Sequence, residues 1–401
     1  MALLPVEDAL RRVIEGMSPL PAEEVPLSEA VGRVLAGDLK ARRTQPPFDA
    51  SAMDGYAVRA ADIETPPATL SVVGESAAGR RFDGQVGRGE AVRIFTGAPV
   101  PEGADTILLQ ENASALQPGR ISALEPSIAG RHIRRAGLDF KEGETLLEKG
   151  RPLDATALSL AAAGGHSRLP VISRPLVAVI ATGDELVPPD TMPGPDQIVA
   201  SNNFAIGALA KLDGAEVHDL GIVPDRREAI AGAVRRAVGT GAQIIVTLGG
   251  ASVGEHDLVR QVLTAEGMEL DFWKIAMRPG KPLMFGRFGE TRVLGLPGNP
   301  VSSFVCAHLF LRPMLARLSG RPFHPNLRAA RLGKAVKAND ERQDYLRACV
   351  EESPDGPIAT PFERQDSSML TTLATANGLI VREPHAPAAE AGAPCTVLML
   401  R

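Results

Sequence analysis

The sequence predicts a multidomain chain of the α/β plus β class. Its centre is an α/β domain with a parallel-type sheet; a helical, discontinuous N-terminal domain with an inserted β domain precedes it, and a small β barrel or sandwich follows. Three observations carry this. Strand-like and helical segments alternate between residues 175 and 320. Short β-favouring runs divided by Gly/Pro turns occupy residues 69–124 and recur after residue 321. A chain of 401 residues also has room for several domains, at about 100 to 200 residues each.

The first helix is written by Val6, Ala9, Leu10 and Val13, which form one apolar stripe at i, i+3, i+4 and i+7. The run RTQPPF at residues 43–48 cannot be helical through two prolines, so a domain crossing is expected there. The runs LSVVG, AVRIF, DTILL and RISAL alternate with turns such as DGQVGRGE and APVPEGAD, the pattern of a small β domain. LDATALSLAAAGG at residues 153–165 then reads as a helix with a Gly-Gly stop. These signals divide the chain into 1–48 with 132–174, 49–131, 175–320 and 321–401.

Within residues 175–320 the order is strand PLVAVIATG, helix NNFAIGALAKLDG, strand AEVHDLGIV, helix DRREAIAGAVRRAVG and strand IIVTL. Asp225 followed by Glu228 reads as a capping box. The alternation implies parallel strands covered on both faces. Ligands of such sheets bind outside the carboxyl ends of the strands. The ends of VAVIAT, IIVTL and RVLGL are therefore expected to share one rim.

The segment at residues 244–257, IIVTLGGASVGEHD, places Gly249, Gly250 and Gly254 directly after an apolar strand. Without Cβ atoms, the backbone N–H groups of such a loop can approach a phosphate or other oxyanion. The loop has neither the P-loop lysine nor GxGxxG spacing, and alone it is equally readable as a tight turn. Two neighbours weigh toward an anion site. In MRPGKP, Arg278 and Lys281 flank a stiff Pro-Gly corner and can clamp an anion. In GLPGNP, Asn299 can cap a helix begun by Pro300, leaving free N–H groups at a positive dipole end.

Composition narrows the class. The 44% hydrophobic and 23% charged content is that of a globular protein. A net charge of -5 without a dense Lys/Arg run argues against nucleic-acid binding. Cys306, Cys349 and Cys395 lack CxxC spacing and are odd in number, against a disulfide framework or zinc site. The histidines show no HxxxH or HExxH spacing, against a zinc enzyme, and nothing supports a Ser/His/Asp hydrolase. No apolar run approaches about 18 residues and the N-terminus lacks a basic signal-peptide flank, so a cytoplasmic protein with no membrane segment is expected.

Seven segments carry a resemblance: SAMDGYAVR (51–59), IFTGAPVPEGAD (94–105), RRAGLDFKEG (134–143), ATGDEL (181–186), LGGASVGEHD (248–257), RPGKP (278–282) and GLPGNPVSS (295–303). In these words and in their order the chain resembles the molybdopterin molybdenumtransferase family, related to the C-terminal domain of gephyrin. The resemblance implies the four-part architecture above, with a β barrel last, and a homodimer whose cleft lies between the α/β domain of one subunit and the β domain of the other. It implies that molybdate and adenylylated molybdopterin are substrates, that AMP is released, and that a divalent cation, Mg2+, assists. The molybdopterin adenylyltransferase and recipient molybdoenzymes are the implied protein partners.

The implied site residues follow. Asp257 and Glu185 are expected to hold the metal or orient water, with Asp184 beside them; Asp257 can equally cap the helix DLVRQVLTAEG. Asp54 and Asp139 match acidic residues contributed from the other domains, where turn aspartates would otherwise be the ordinary reading. Gly249, Gly250, Ser252 and Gly254 are expected to hold phosphate or adenylate, although Ser252 can serve only its own loop. Lys281 and Arg278 are candidates for molybdate and phosphate, Pro297 and Pro300 shape the pocket, and Ser367 in QDSSML is a candidate for the partner's cleft. The chain departs from the family pattern at His256, where an aromatic is usual, and at Arg278, often Lys, whose fork differs from an ammonium. Two other classes share these features: molybdopterin adenylylation, normally the work of a single domain, and a gephyrin-like scaffold, which would carry a long low-complexity linker.

Overall fold

A computed structural model describes residues 3–249 and 258–400. Gly250, Ser252, Gly254, His256 and Asp257 therefore lie outside the described residues. The chain divides into two compact units, one of residues 1–23, 32–34 and 172–401, the other of residues 24–31 and 35–171.

In the first unit a six-stranded sheet is ordered Glu216–Val223, Leu176–Thr182, Ile244–Leu248, Thr291–Leu296, Met284–Phe288, Glu269–Trp273. The first four strands are parallel, as expected. The last two pairings are antiparallel, so Met284–Phe288 alone runs against the other five. The physical reason is the connection between Phe288 and Thr291, a two-residue turn that closes a hairpin but is too short for a parallel crossover.

The inner parallel strands are apolar on both sides because both faces are covered, whereas the edge strand Glu216–Val223 exposes Glu216, His218 and Asp219. Val177, Val179, Ile244 and Val246 join one core with Ile206, Ala210, Val301 and Val305. Ala178, Ile180 and Ile245 join the other with Ile230, Val234, Val259 and Val262. Helices Asn202–Leu212 and Pro300–Cys306 thus lie on one face, and Arg227–Gly239 and Leu258–Ala265 on the other.

Helix Val6–Ile14 forms as its stripe predicts, but it packs in this unit: Ala9 and Val13 are wholly buried in the α/β core. Its apolar stripe matches a helical face there. Residues 300–318 form a continuous helical stretch that is apolar enough by composition to cross a membrane, yet 78% of it is buried. It is the core helix of the α/β sheet.

The C-terminal strands close into a five-stranded barrel in the order Gln343–Glu351, Ile358–Pro361, Leu327–Leu332, Pro394–Met399, Gly378–Arg382, with the last pairing back to the first. Leu332, Ala348, Val350, Ala359, Ile380 and Val397 fill it. Strand Met277–Arg278 pairs in parallel with the start of Gln343–Glu351, so the α/β domain and the barrel share a ladder.

In the second unit a six-stranded sheet runs Thr106–Leu109, Gly55–Val58, Glu90–Ile94, Ala68–Ser76, Arg120–Ala123, Ala113–Gln117. Successive residues feed opposite faces, as the pleat requires: Val58, Ala91 and Leu108 on one, Ala57, Val92 and Ile107 on the other. The Gly-Gly helix is found at Ala155–Ala163, with Asp154 accepting a hydrogen bond from Ala157 N at 2.8 Å. The remainder of the region expected to be helical, residues 24–48 and 132–154, is short strands and turns with one 3-10 turn at Leu27–Glu29, because its prolines and glycines leave no further run of α-helical length.

Candidate active site

The parallel register aligns the carboxyl ends of three strands. Ala181 lies opposite Leu248, and Leu248 opposite Leu296. A cavity of about 610 Å³ opens beyond these ends, lined by Thr182, Glu185, Gly249, Pro297, Asn299 and Pro300 among others. The expected common rim exists. A larger apolar groove of about 930 Å³, bounded by Val6, Leu10, Tyr345 and Leu398, lies away from the strand ends.

Gly249 is the corner of this rim. Its φ is +93°, and a Cβ there would stand 2.4 Å from the Thr182 carbonyl oxygen, a contact no side chain can make. Gly183 is equally tight against the Glu185 carboxylate, which a Cβ would meet at 2.5 Å. The carboxylate of Glu185 is thus folded back over the end of Leu176–Thr182. Asn202 braces the opposite wall by donating to the Gly298 carbonyl at 2.6 Å.

Asp225, which the sequence pattern reads as the start of a capping box, does not cap. Helix Arg227–Gly239 starts two residues later and has no side-chain cap. Asp225 instead turns its backbone N–H to Asp184 Oδ1, 3.0 Å away. Burial, and then the negative charges of Asp184 and Glu185, raise its carboxyl above the ordinary value of 3.8. The rule that placed the rim at strand ends applies equally to Glu216–Val223, and it would have found this residue.

A carboxylate with a raised folded-state value destabilises the fold when ionised. That penalty is absent below pH 3.8 and complete above the raised value. Asp225→Asn is therefore expected to keep or raise the melting temperature at neutral pH, with the advantage vanishing in acid, while lowering turnover. Thermal denaturation across pH checks the sign.

The GNP helix start is found, with Pro300 in the first turn, but two expectations about it change. Asn299 makes no capping bond; its Nδ2 donates to Ser367 Oγ at 3.0 Å. The Val301 N–H is not free, because it donates to the Ser367 carbonyl at 3.0 Å. Ser367 therefore touches its own chain's rim, and its neighbours Ser368 and Leu370 line the same cavity. The barrel reaches this cavity within one chain.

Arg278, expected to clamp an anion, is committed elsewhere. Its guanidinium pairs with buried Asp344, with Asp340 at 3.1 Å and with Asn339 at 3.2 Å. Arg342 first, and Arg278 in addition, hold Asp340 down to about 2, whereas burial pushes Asp344 up despite Arg278. Arg278 is a tether to the barrel. Arg278→Ala removes the cation paired with Asp344 and is expected to cost about 3 kcal/mol, measured by chemical denaturation. Lys281 has no ion-pair partner among the described residues, and it precedes Pro282 of the cavity wall.

In the second unit Asp54 accepts from both the Thr96 N–H, at 2.7 Å, and its hydroxyl, at 2.8 Å. Those bonds, the backbone one foremost, hold its carboxyl below the usual range. Thr96 was not singled out from sequence, although it lies in the IFTGAP segment. Asp139 is exposed, and its backbone N–H donates to Gln45 O at 3.0 Å.

Three family models match in order: the MoeA N-terminal region (domain I and II) over residues 4–165, a probable molybdopterin binding domain over 178–317, and the MoeA C-terminal region (domain IV) over 329–400. A molybdopterin molybdenumtransferase of Haemophilus influenzae is 35% identical over 98% of both chains. One from Synechococcus elongatus is 40% identical over 74% of this chain and 75% of that one. The crystal structure of a molybdopterin biosynthesis MoeA protein from Pyrococcus horikoshii covers 100% of both chains with a TM-score of 0.85 at 31% identity. The chain belongs to the molybdopterin molybdenumtransferase (MoeA) family.

Proposed function

We propose that this chain inserts molybdenum from molybdate into the dithiolene of adenylylated molybdopterin, releases AMP and so forms the molybdenum cofactor. The observation that carries the reading is the rim at the ends of three parallel strands, where Gly249 backs onto Thr182 and the negative charges of Asp184 and Glu185 act on Asp225, in a chain related to molybdenumtransferases over its whole length.

Gly250, Ser252 and Gly254, outside the described residues, are the proposed phosphate contacts, next to Gly249, whose own N–H donates to the Leu296 carbonyl at 3.3 Å. Lys281 supplies the cation for molybdate. Pro297 and Pro300 give the pocket stiff walls. Water attacks the phosphoanhydride and AMP leaves, with Glu185 placed to take the proton from that water. Asp54, kept ionised by Thr96, acts from the β domain and Asp139 from the N-terminal domain of a second subunit in a homodimer, and the four-part division of the chain belongs to this reading. The protein is cytoplasmic.

A divalent cation, Mg2+, fits the charge of this rim, because Asp225 is raised partly by the unrelieved charges of Asp184 and Glu185. Among the described residues no group of three or more ligating side chains is already gathered; Glu185 and Asp257 are the proposed ligands. When bound, the ion polarises the phosphoanhydride oxygens.

The purified protein, given adenylylated molybdopterin, molybdate and Mg2+, is expected to yield AMP and active cofactor. Absence of AMP overturns the proposal. Asp257→Ala is expected to abolish AMP release while the unfolding transition stays in place. Given ATP and non-adenylylated molybdopterin, the protein is expected to form no adenylylated product.

A further inference from the structure

Arg347 heads the wholly buried large side chains, at 1% exposure, in the middle of barrel strand Gln343–Glu351. No carboxylate among the described residues lies within ion-pair distance of it. Asp366 acts on it only from beyond ion-pair distance, offsetting part of the cost of burial, so its hydrogen bonds should reveal its use. Nη1 donates to the Met369 carbonyl at 3.3 Å and Nη2 to the Arg364 carbonyl at 3.4 Å.

The main chain of the same residue holds the same segment. Its N–H donates to Gln365 Oε1 at 3.0 Å, and its carbonyl accepts from Gln365 Nε2 and Phe362 N, both at 3.0 Å. Residues 362–369 are thus fastened at both ends to one barrel position. Between the fastenings stand Ser367, which meets Asn299 and Val301, and Ser368, which lines the cavity. Asp366 keeps the tip folded by accepting from Ser368 N at 2.9 Å and Ser368 Oγ at 2.6 Å.

We propose that Arg347 is a positioning residue for the cavity: by spanning the carbonyls of Arg364 and Met369 it sets the Ser367–Ser368 tip against the Pro300 rim, and substrate affinity depends on that setting. The inference rests on the function proposed above. Only a planar fork reaches both carbonyls at once, so Arg347→Lys keeps the charge and loses the span.

The test compares Arg347→Lys, Ser368→Ala and the double variant in steady-state AMP release and in amide hydrogen exchange. Arg347→Lys is expected to raise the KM for adenylylated molybdopterin about tenfold, equivalent to about 1.4 kcal/mol, with kcat within about twofold and exchange faster at residues 366–368. Ser368→Ala is expected to raise KM too, and the double variant to add little to Arg347→Lys, since one acts through the other. An unchanged KM in folded Arg347→Lys, or single effects that multiply, overturns the proposal.

If Arg347→Lys does not fold, Gln365→Ala loosens the same segment from its other side and is expected to give the same KM shift; wild-type KM there counts against the clamp. If wild-type protein releases no AMP, the function fails separately. Exchange then decides the clamp alone, with faster exchange at residues 366–368 supporting it and wild-type rates overturning it.

Discussion

Glu185→Gln is expected to lower the turnover of AMP release by about a hundredfold or more, the scale of removing one preorganised electrostatic group from a reaction centre. The substitution keeps the shape of the side chain and removes its charge and basicity. Because the carboxylate is folded over Gly183 and lines the cavity, the amide remains at the rim, and KM for adenylylated molybdopterin should move little. Folding should be intact, since Glu185 adds to the negative charge that already opposes Asp225. Steady-state kinetics with a melting curve check this. A variant with wild-type kcat would remove Glu185 from the mechanism.

Gly249→Ala is expected to damage the site through the backbone. A Cβ would enter within 2.4 Å of the Thr182 carbonyl oxygen, at a φ of +93°, and strain of this kind costs about 1 to 3 kcal/mol before any clash is counted. The only relief is to move the loop away from strand Leu176–Thr182, which opens the rim on which Thr182, Leu248 and Pro297 meet. Loss of stability and loss of substrate binding should therefore appear together. Gly298→Ala is the control, because its Cβ would meet the Gly249 Cα at an ordinary 3.7 Å. Urea denaturation of both variants, with AMP-release kinetics, separates them. Equal stability of the two would contradict this account of the corner.

Local pattern was a sound guide wherever one periodicity ruled. The stripe of Val6, Ala9, Leu10 and Val13, the Gly-Gly stop of Ala155–Ala163, and the apolar runs of the parallel strands all stand where the sequence predicts. The rule that ligands gather at strand ends located the rim. What pattern could not supply was long-range pairing. Asp225 looks like a helix cap until Asp184, 41 residues away, is brought against it. Arg278 looks like an anion clamp until Asp344, 66 residues on, takes its guanidinium. Asn299 looks like a cap until Ser367 arrives from the barrel. In each case a local motif and a distant partner compete for the same polar atoms, and only the tertiary fold decides between them.

The antiparallel edge of the α/β sheet was missed for a different reason. Alternating strands and helices predict crossovers, but between Met284–Phe288 and Thr291–Leu296 no helix intervenes, and a two-residue turn carries no motif that marks the hairpin. The function, too, was legible from seven short segments in order, whereas the contribution of Arg347 was not, because a buried arginine in a β strand has no signature outside its partners.

The account places the chemistry at the carboxyl ends of the parallel strands, and a crystal structure of the protein soaked with molybdate and AMP tests this most directly. Molybdenum, located by its anomalous scattering, is expected beside Lys281, with the AMP phosphate over Gly249 and the rim at Pro297. Molybdenum and AMP bound elsewhere, as in the apolar groove by Tyr345, with the rim empty, would contradict it.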